Sequence, residues 1–145
     1  MLSTRQLVDR AWRQLYCMDV QALLRGDEPD QAIPRDGTCV GALLESLVTQ
    51  SVFAYAQQAE AEVRHLRTRR GEHEVDLIVQ RRDGRVVALE VKFAEAIGDR
   101  DVGHLVWLKD RIGADLINAV VINTGPVAYR RQDGIAVVPA ALLGP

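Results

Sequence analysis

The chain has 145 residues, 48% of them hydrophobic, and a formal net charge of −2 at pH 7, which predicts one compact domain with a real core. The near-neutral charge excludes a protein that coats nucleic acid through bulk positive charge. Two cysteines, without disulfide-scaffold density or a C-x-x-C pair, indicate a reducing cytoplasm. No apolar run approaches the roughly 20 residues that span a bilayer, so we expect no membrane segment.

Residues 1–37 are expected to form a helical and irregular N-terminal segment. Apolar residues recur at helical spacing from Leu7 to Leu15, and a second short helix is predicted to end at Gly26. The stretch from Gly26 to Gly37 is rich in Gly, Pro and Asp, which is typical of a connector. We therefore predict a domain over residues 38–145.

Periodicity predicts the elements of this domain in chain order. The list is a long helix over 39–59, three strands over 63–68, 73–80 and 86–93, a helix over 101–113, a buried strand over 115–123, and short edge strands over 127–131 and 134–139. The order α-β-β-β-α-β, with extra C-terminal strands, indicates an α/β fold with a central mixed sheet flanked by helices.

The loop Arg82-Asp83-Gly84 decides how the second and third strands pair. A two-residue Asp83-Gly84 turn would place Asp76 opposite Val91 and mix apolar with charged residues on both faces. A three-residue loop, with Gly84 left-handed, pairs Arg81 with Arg85 instead. That register is preferred because it separates the two faces: it places Asp76 opposite Glu90, Glu74 opposite Lys92, and Val75, Leu77 and Val79 against Val91, Leu89 and Val87.

In this register two carboxylates, those of Asp76 and Glu90, face each other about 4.5–5.5 Å apart at Cβ and repel. A divalent cation would remove that repulsion, and Mg²⁺ prefers carboxylate oxygens while retaining water ligands. Lys92 lies on the same face, where its ammonium could hold an attacking water or stabilise charge on a phosphate. The same side chains also fit a solvated sheet face with a Glu74–Lys92 ion pair.

Asp76 followed by a hairpin and Glu90-Val91-Lys92, with an acid on the preceding helix, resembles the PD-(D/E)XK superfamily of restriction-endonuclease-like nucleases. From Gly41 to the C-terminus the chain is more closely similar to the nuclease-like C-terminal domain of bacterial and archaeal AAA-type ATPases. The resemblance implies that Asp76, Glu90, the Val91 carbonyl and Glu45 bind metal, and that Lys92 is catalytic. Glu74 is an accessory candidate. Val75 replaces the proline of the family motif.

The resemblance implies a phosphodiesterase that depends on Mg²⁺ or Mn²⁺ and acts on DNA, which is favoured over RNA. Arginines at 64–70, 81–85 and 130–131 could form a local basic edge for nucleic acid, or could simply be solvated. The chain contains no G-x-x-x-x-G-K-[ST] loop, so we expect either a stand-alone protein, with an ATPase domain as a possible partner, or a fragment of a longer protein. The alternative is an inactive accessory module of an AAA-type ATPase system that binds a protein or DNA; a homodimer is also compatible with the sequence.

The remaining ring side chains are expected to be structural. His73 is predicted to be a surface residue near a turn, and His65 and His104 have no ligand-like spacing. Trp12 and Trp107 are interpreted as packing residues, because aromatic residues are only 5% of the chain and do not alternate with basic ones.

Overall fold

The computed structural model describes residues 38–143, and the helices expected within residues 1–37 lie outside that range. Helix α1 runs Thr38–Gln58, as the sequence predicts to within one residue. A boundary between two compact units falls inside this helix, between Ser46 and Leu47. In the second unit, α1 buries Val48, Val52 and Ala56, which recur at i+4 and so lie on one helix face.

The second unit contains six strands and one further α-helix. They are β1 (Glu62–Arg67), β2 (Glu74–Gln80), β3 (Val86–Val91), α2 (Gly103–Ile112), β4 (Leu116–Asn123), β5 (Tyr129–Arg130) and β6 (Ala136–Pro139). A 3₁₀ turn, Asp99–Val102, leads into α2, which ends at Gly113 with φ 53°. The predicted order of helices and strands is confirmed.

The six strands form one mixed sheet in the order β1-β2-β3-β4-β6-β5. The first three strands are antiparallel, β3 pairs with β4 in parallel, and β4 pairs with β6 in parallel. The predicted α/β class is thereby confirmed. The prediction that the last strand lies at an edge is wrong: β6 lies between β4 and β5, since its backbone pairs in parallel with β4 and antiparallel with β5.

The largest cluster of buried side chains joins one face of this sheet to α2. Leu105 and Leu108 of the helix pack with sheet residues that are all less than 9% exposed. The strands contribute Val75, Ala88, Ala119, Val121 and Val137, and Ile135 directly precedes β6. None of the helices within residues 38–143 has both the length and the apolar composition to cross a bilayer.

The three-residue loop of the β2–β3 hairpin is confirmed. Arg81 N–H donates to the Arg85 carbonyl at 2.9 Å, Gly84 has φ 85°, and Leu77 lies opposite Leu89. A second loop of the same kind joins β5 to β6, where Arg131 N–H donates to the Ile135 carbonyl at 2.9 Å. In both loops an Asp side chain accepts the N–H two residues later.

The predicted continuation of that register beyond Leu77 is wrong. The β2–β3 ladder stops at Leu77, so Asp76 and Glu90 are not ladder partners. The cause is a bulge in β2, where the β1–β2 register shifts between Arg64 and Leu66. The bulge moves Val75 away from the face of Leu77 and into the core cluster with Ala88. The continuous apolar face expected from Val75 to Val79 is therefore broken.

Candidate metal and catalytic site

The start of β2 and the end of β3 bring three of the predicted site residues together. The Val91 N–H at the end of β3 donates to Oδ2 of Asp76 at 2.8 Å. Nζ of Lys92 lies 3.1 Å from Oε2 of Glu90. The charges of Asp76 and Lys92 both act on the Glu90 carboxyl. The Glu90–Lys92 pair and the Asp76 carboxylate thus lie near the end of β3, and the role of this acid–lysine cluster as one site remains a prediction.

Glu90 is the most deeply buried charged group of this cluster, at 1% exposed. It lies on the same sheet face as Ala88, because side chains two residues apart on a strand share a face. Lys92 provides an ion-pair partner, but neither carboxylate oxygen of Glu90 has a hydrogen bond of good geometry. A buried carboxylate in that state costs free energy, and a cation ligated by both oxygens would recover it.

Burial raises the pKa of the Glu90 carboxyl, since removal from water disfavours the charged form. The Lys92 ammonium opposes this rise, and the negative charges of Asp76 and Asp101 add to it. The net direction is upward. A raised carboxyl pKa beside two further acids is typical of sites that hold a cation or transfer a proton.

Lys92 is held in its charged form by the same neighbours. Partial burial lowers the pKa of its ammonium, but the Glu90 carboxylate, with smaller contributions from Asp76 and Asp101, outweighs that effect and raises the pKa overall. The side chain is about one-third exposed. Lys92 is therefore a protonated cation with access to solvent, suited to contact an anion rather than to act as a base.

Asp101 is a member of this cluster that the sequence reasoning missed. It lies in the 3₁₀ turn before α2, where its Oδ2 accepts the Gly98 N–H at 2.8 Å. Its charge acts on both Glu90 and Lys92. The acids that open this helix, Asp99 and Asp101, were a sequence signal for a helix start, but nothing local showed which strands the turn would approach.

Two predicted residues lie elsewhere or stay untested. The β2–β3 ladder does not reach Glu74, so the predicted pairing of Glu74 with Lys92 is wrong. Oε1 of Glu74 lies 3.3 Å from Nε2 of His65 instead, and Nζ of Lys92 contacts Glu90. Glu45 lies on α1 in the first unit with an exposed side chain. Its role and that of the Val91 carbonyl as metal ligands remain predictions.

The residues of the cluster fit a hard cation better than a transition metal. Among residues 38–143, no three His, Cys, Asp or Glu side chains come close enough together to ligate one ion. Mg²⁺ needs only one or two carboxylates, because it keeps several of its waters. The orphaned oxygens of Glu90 beside Asp76 meet that requirement.

The predicted basic edge is largely neutralised by neighbouring acids. Arg64 lies 2.7 Å from Glu62, and Arg82 lies 2.8 Å from Glu60. Arg81 and Arg85 both contact Asp83. Exposed ion pairs of this kind contribute little stability, so they can be exchanged for phosphate contacts at small cost.

His73 is not the surface residue that the sequence predicts. Its ring stacks on Trp107 with centroids 4.0 Å apart and planes 9° apart, and it is half-buried. Trp107 itself packs against the core cluster, as predicted for a packing residue. Trp12 lies outside the described residues.

The comparisons with known proteins give a family and no function. A family model described as "Domain of unknown function (DUF4143)" matches residues 40–143, most of the chain. No curated protein and no solved structure matches the chain. The matched region contains the whole acid–lysine cluster and every strand of the sheet. The chain therefore belongs to the family of domains of unknown function DUF4143.

Proposed function

We propose that this domain is a metal-dependent phosphodiesterase of the PD-(D/E)XK type that acts on DNA. The observation that carries the proposal is the buried carboxylate of Glu90, whose Oε1 has no hydrogen-bond partner within residues 38–143 and whose Oε2 lies 3.1 Å from Nζ of Lys92. A carboxylate that is only 1% exposed destabilises the folded protein, and groups of this kind are found mainly at functional sites.

In this proposal Asp76 and Glu90 would hold Mg²⁺ or Mn²⁺, with the Val91 carbonyl as a further candidate ligand. The bound ion supplies Lewis-acid polarisation of a phosphate oxygen and lowers the pKa of a ligated water. The Val91 N–H fixes the Asp76 carboxylate at 2.8 Å, so that this group is oriented by backbone rather than by a mobile side chain. Glu90 is oriented by its burial in the sheet.

Lys92 acts on the substrate side of the site. Its protonated ammonium is one-third exposed and can turn from Glu90 toward a phosphodiester oxygen, where it stabilises the developing negative charge. The arginines of the basic edge, whose acid partners are exposed, are suited to position the DNA backbone.

A second candidate function is an inactive nuclease-fold module of an AAA-type ATPase system that binds DNA or a protein partner. The Glu90–Lys92 ion pair favours it, because it satisfies part of the buried charge without a metal. The lack of a third grouped ligand among residues 38–143 favours it too.

The two functions are distinguished by incubating supercoiled, linear and single-stranded DNA with the full chain and Mg²⁺ or Mn²⁺. Asp76→Ala and Lys92→Ala are each expected to lower the cleavage rate at least about a hundredfold, the usual scale for one catalytic group. Asp110→Ala removes an exposed acid on α2 and is expected to leave cleavage unchanged.

DNA retention on a filter, with no cleavage under any of these conditions, would support the inactive module instead. Cleavage that survives both Asp76→Ala and Lys92→Ala would exclude the proposed site. Calorimetric titration of Mn²⁺ into wild type and Asp76→Ala separates loss of metal binding from loss of chemistry.

A further inference from the structure

Two histidines meet at a point that the proposed phosphodiesterase does not use. His73 directly precedes β2 and His104 lies in the first turn of α2, and their Nδ1 atoms are 3.4 Å apart. The rings are perpendicular, at 85°, with centroids 5.6 Å apart. Both side chains are half-buried.

Trp107 fixes the position of the His73 imidazole. His73 stacks on this ring, and Trp107 lies three residues after His104 on α2, so that the two side chains share one helix face. Neither imidazole is a freely rotating surface group. A pair of nitrogen atoms held by a stack and a helix is preorganised, which reduces the entropic cost of binding a ligand between them.

The two nitrogens lie within reach of a long hydrogen bond, at 3.4 Å against the usual value of about 2.9–3.0 Å. The same separation suits a metal ion shared by the two imidazoles. Two imidazoles on a tetrahedral Zn²⁺, each with a Zn–N distance of about 2.0–2.1 Å, place their nitrogens about 3.3–3.4 Å apart.

We propose that Nδ1 of His73 and Nδ1 of His104 form a two-histidine site for a borderline divalent transition-metal ion, with Zn²⁺ as the reference ion. Imidazole nitrogen suits Zn²⁺, Ni²⁺ and Cu²⁺, whereas the carboxylates of Asp76 and Glu90 suit Mg²⁺ and Mn²⁺. Because no group of three ligating side chains occurs within residues 38–143, the ion's other positions are open to water or an anionic ligand.

The test is calorimetric titration of Zn²⁺ into the Asp76→Ala protein, in which the carboxylate site is disabled. His73→Phe keeps an aromatic ring for the stack on Trp107 and removes the nitrogen, and His104→Phe removes the other. Each is expected to weaken Zn²⁺ binding at least about tenfold. The double variant is expected to bind no more weakly than either single one, because one imidazole alone gives little chelation. His65→Phe, the matched control at the chain's third histidine, is expected to bind as before.

Side-chain NMR of the unsubstituted protein provides a readout that does not depend on any variant folding. Zn²⁺ should shift the imidazole resonances of His73 and His104 together and leave those of His65 in place. Equal Zn²⁺ affinity with and without the His73→Phe change, or shifts confined to His65, would overturn the proposal.

Discussion

The backbone N–H of Val91 donates its hydrogen bond to a side chain, Oδ2 of Asp76, at 2.8 Å. In a regular antiparallel ladder this N–H would face a carbonyl of β2, and the bulge in β2 removes that partner. The Asp76 carboxylate therefore joins the two strands where their ladder ends. A residue proposed to bind metal is also part of the sheet.

Asp76→Ala is expected to lower the free energy of unfolding by about 1 kcal/mol, because it leaves the half-buried Val91 N–H without its acceptor. Asp76→Asn retains a side-chain oxygen and should lose less than half as much, although it removes the charge that a cation needs. Urea denaturation of both variants measures the difference, and faster amide hydrogen exchange at Val91 in the alanine variant locates it. Equal losses in the two variants would contradict the hydrogen bond.

Glu90→Gln is expected to stabilise the metal-free protein at pH 8 by about 1 kcal/mol, because the cost of burying the Glu90 charge outweighs its attraction to Lys92. Burial raises the pKa of the Glu90 carboxyl in the folded state above its ordinary value of 4.5. The contribution of Glu90 to the free energy of unfolding is therefore most favourable below pH 4.5, and it is lost as the pH rises through the raised pKa. The advantage of the glutamine variant should thus shrink toward pH 4. Urea denaturation of wild type and Glu90→Gln between pH 4 and pH 8, with a chelator present, measures the sign of this difference in stability.

The two Asp-Gly loops offer a matched pair of substitutions. Burial pushes the pKa of Asp133 upward, but the Ile135 N–H and the Arg131 guanidinium lower it overall. Asp133 therefore stabilises the folded state at pH values above its ordinary pKa of 3.8, and this stabilisation is lost as the pH falls through the lowered pKa. Asp133→Asn should cost about 1 kcal/mol at pH 7, after screening by solvent, and should flatten the acid dependence of Tm.

Asp83 occupies the equivalent position in the β2–β3 loop, where its partner Arg85 is about half exposed, whereas Arg131 is 16% exposed. Asp83→Asn should accordingly lower Tm less than Asp133→Asn does. The opposite ranking would show that burial of the arginine does not set the strength of these loops.

Alanine substitutions at Gly125 and Gly103 distinguish a steric clash in the folded state from a change in backbone flexibility. A Cβ on Gly125 would lie 2.6 Å from the Glu95 carbonyl oxygen and 2.7 Å from Nδ2 of Asn123. Gly125→Ala should therefore cost about 1–3 kcal/mol and break the Asn123–Glu95 hydrogen bond. Gly103 has helical dihedrals and open space at its Cβ, so Gly103→Ala should stabilise by about 0.5–1 kcal/mol. Thermal melting of the two variants should shift in opposite directions.

Local signals explain what the sequence could predict. The alternation of apolar residues in β2 and β3, together with Gly84, was sufficient for the hairpin register as far as Leu77. Gly113 likewise predicted the end of α2, because few residues other than glycine adopt its positive φ.

The rest depends on contacts between distant parts of the chain. The bulge at Asp76 arises from pairing with β1, and period-two counting carries no information about it. The contact of His73 with His104 spans 31 residues. The position of β6 inside the sheet follows from its parallel pairing with β4, which no local pattern specifies.

The strand order leaves β1 and β5 at the two ends of the sheet. Strand β5 is two residues long, and β1 carries Glu62, Arg64 and Arg67 with exposed side chains. Short or charged edge strands disfavour the addition of a strand from another molecule. Both edges of the sheet formed within residues 38–143 therefore disfavour edge-to-edge aggregation, and self-association through this sheet would use its side-chain surfaces rather than a continuous intermolecular sheet.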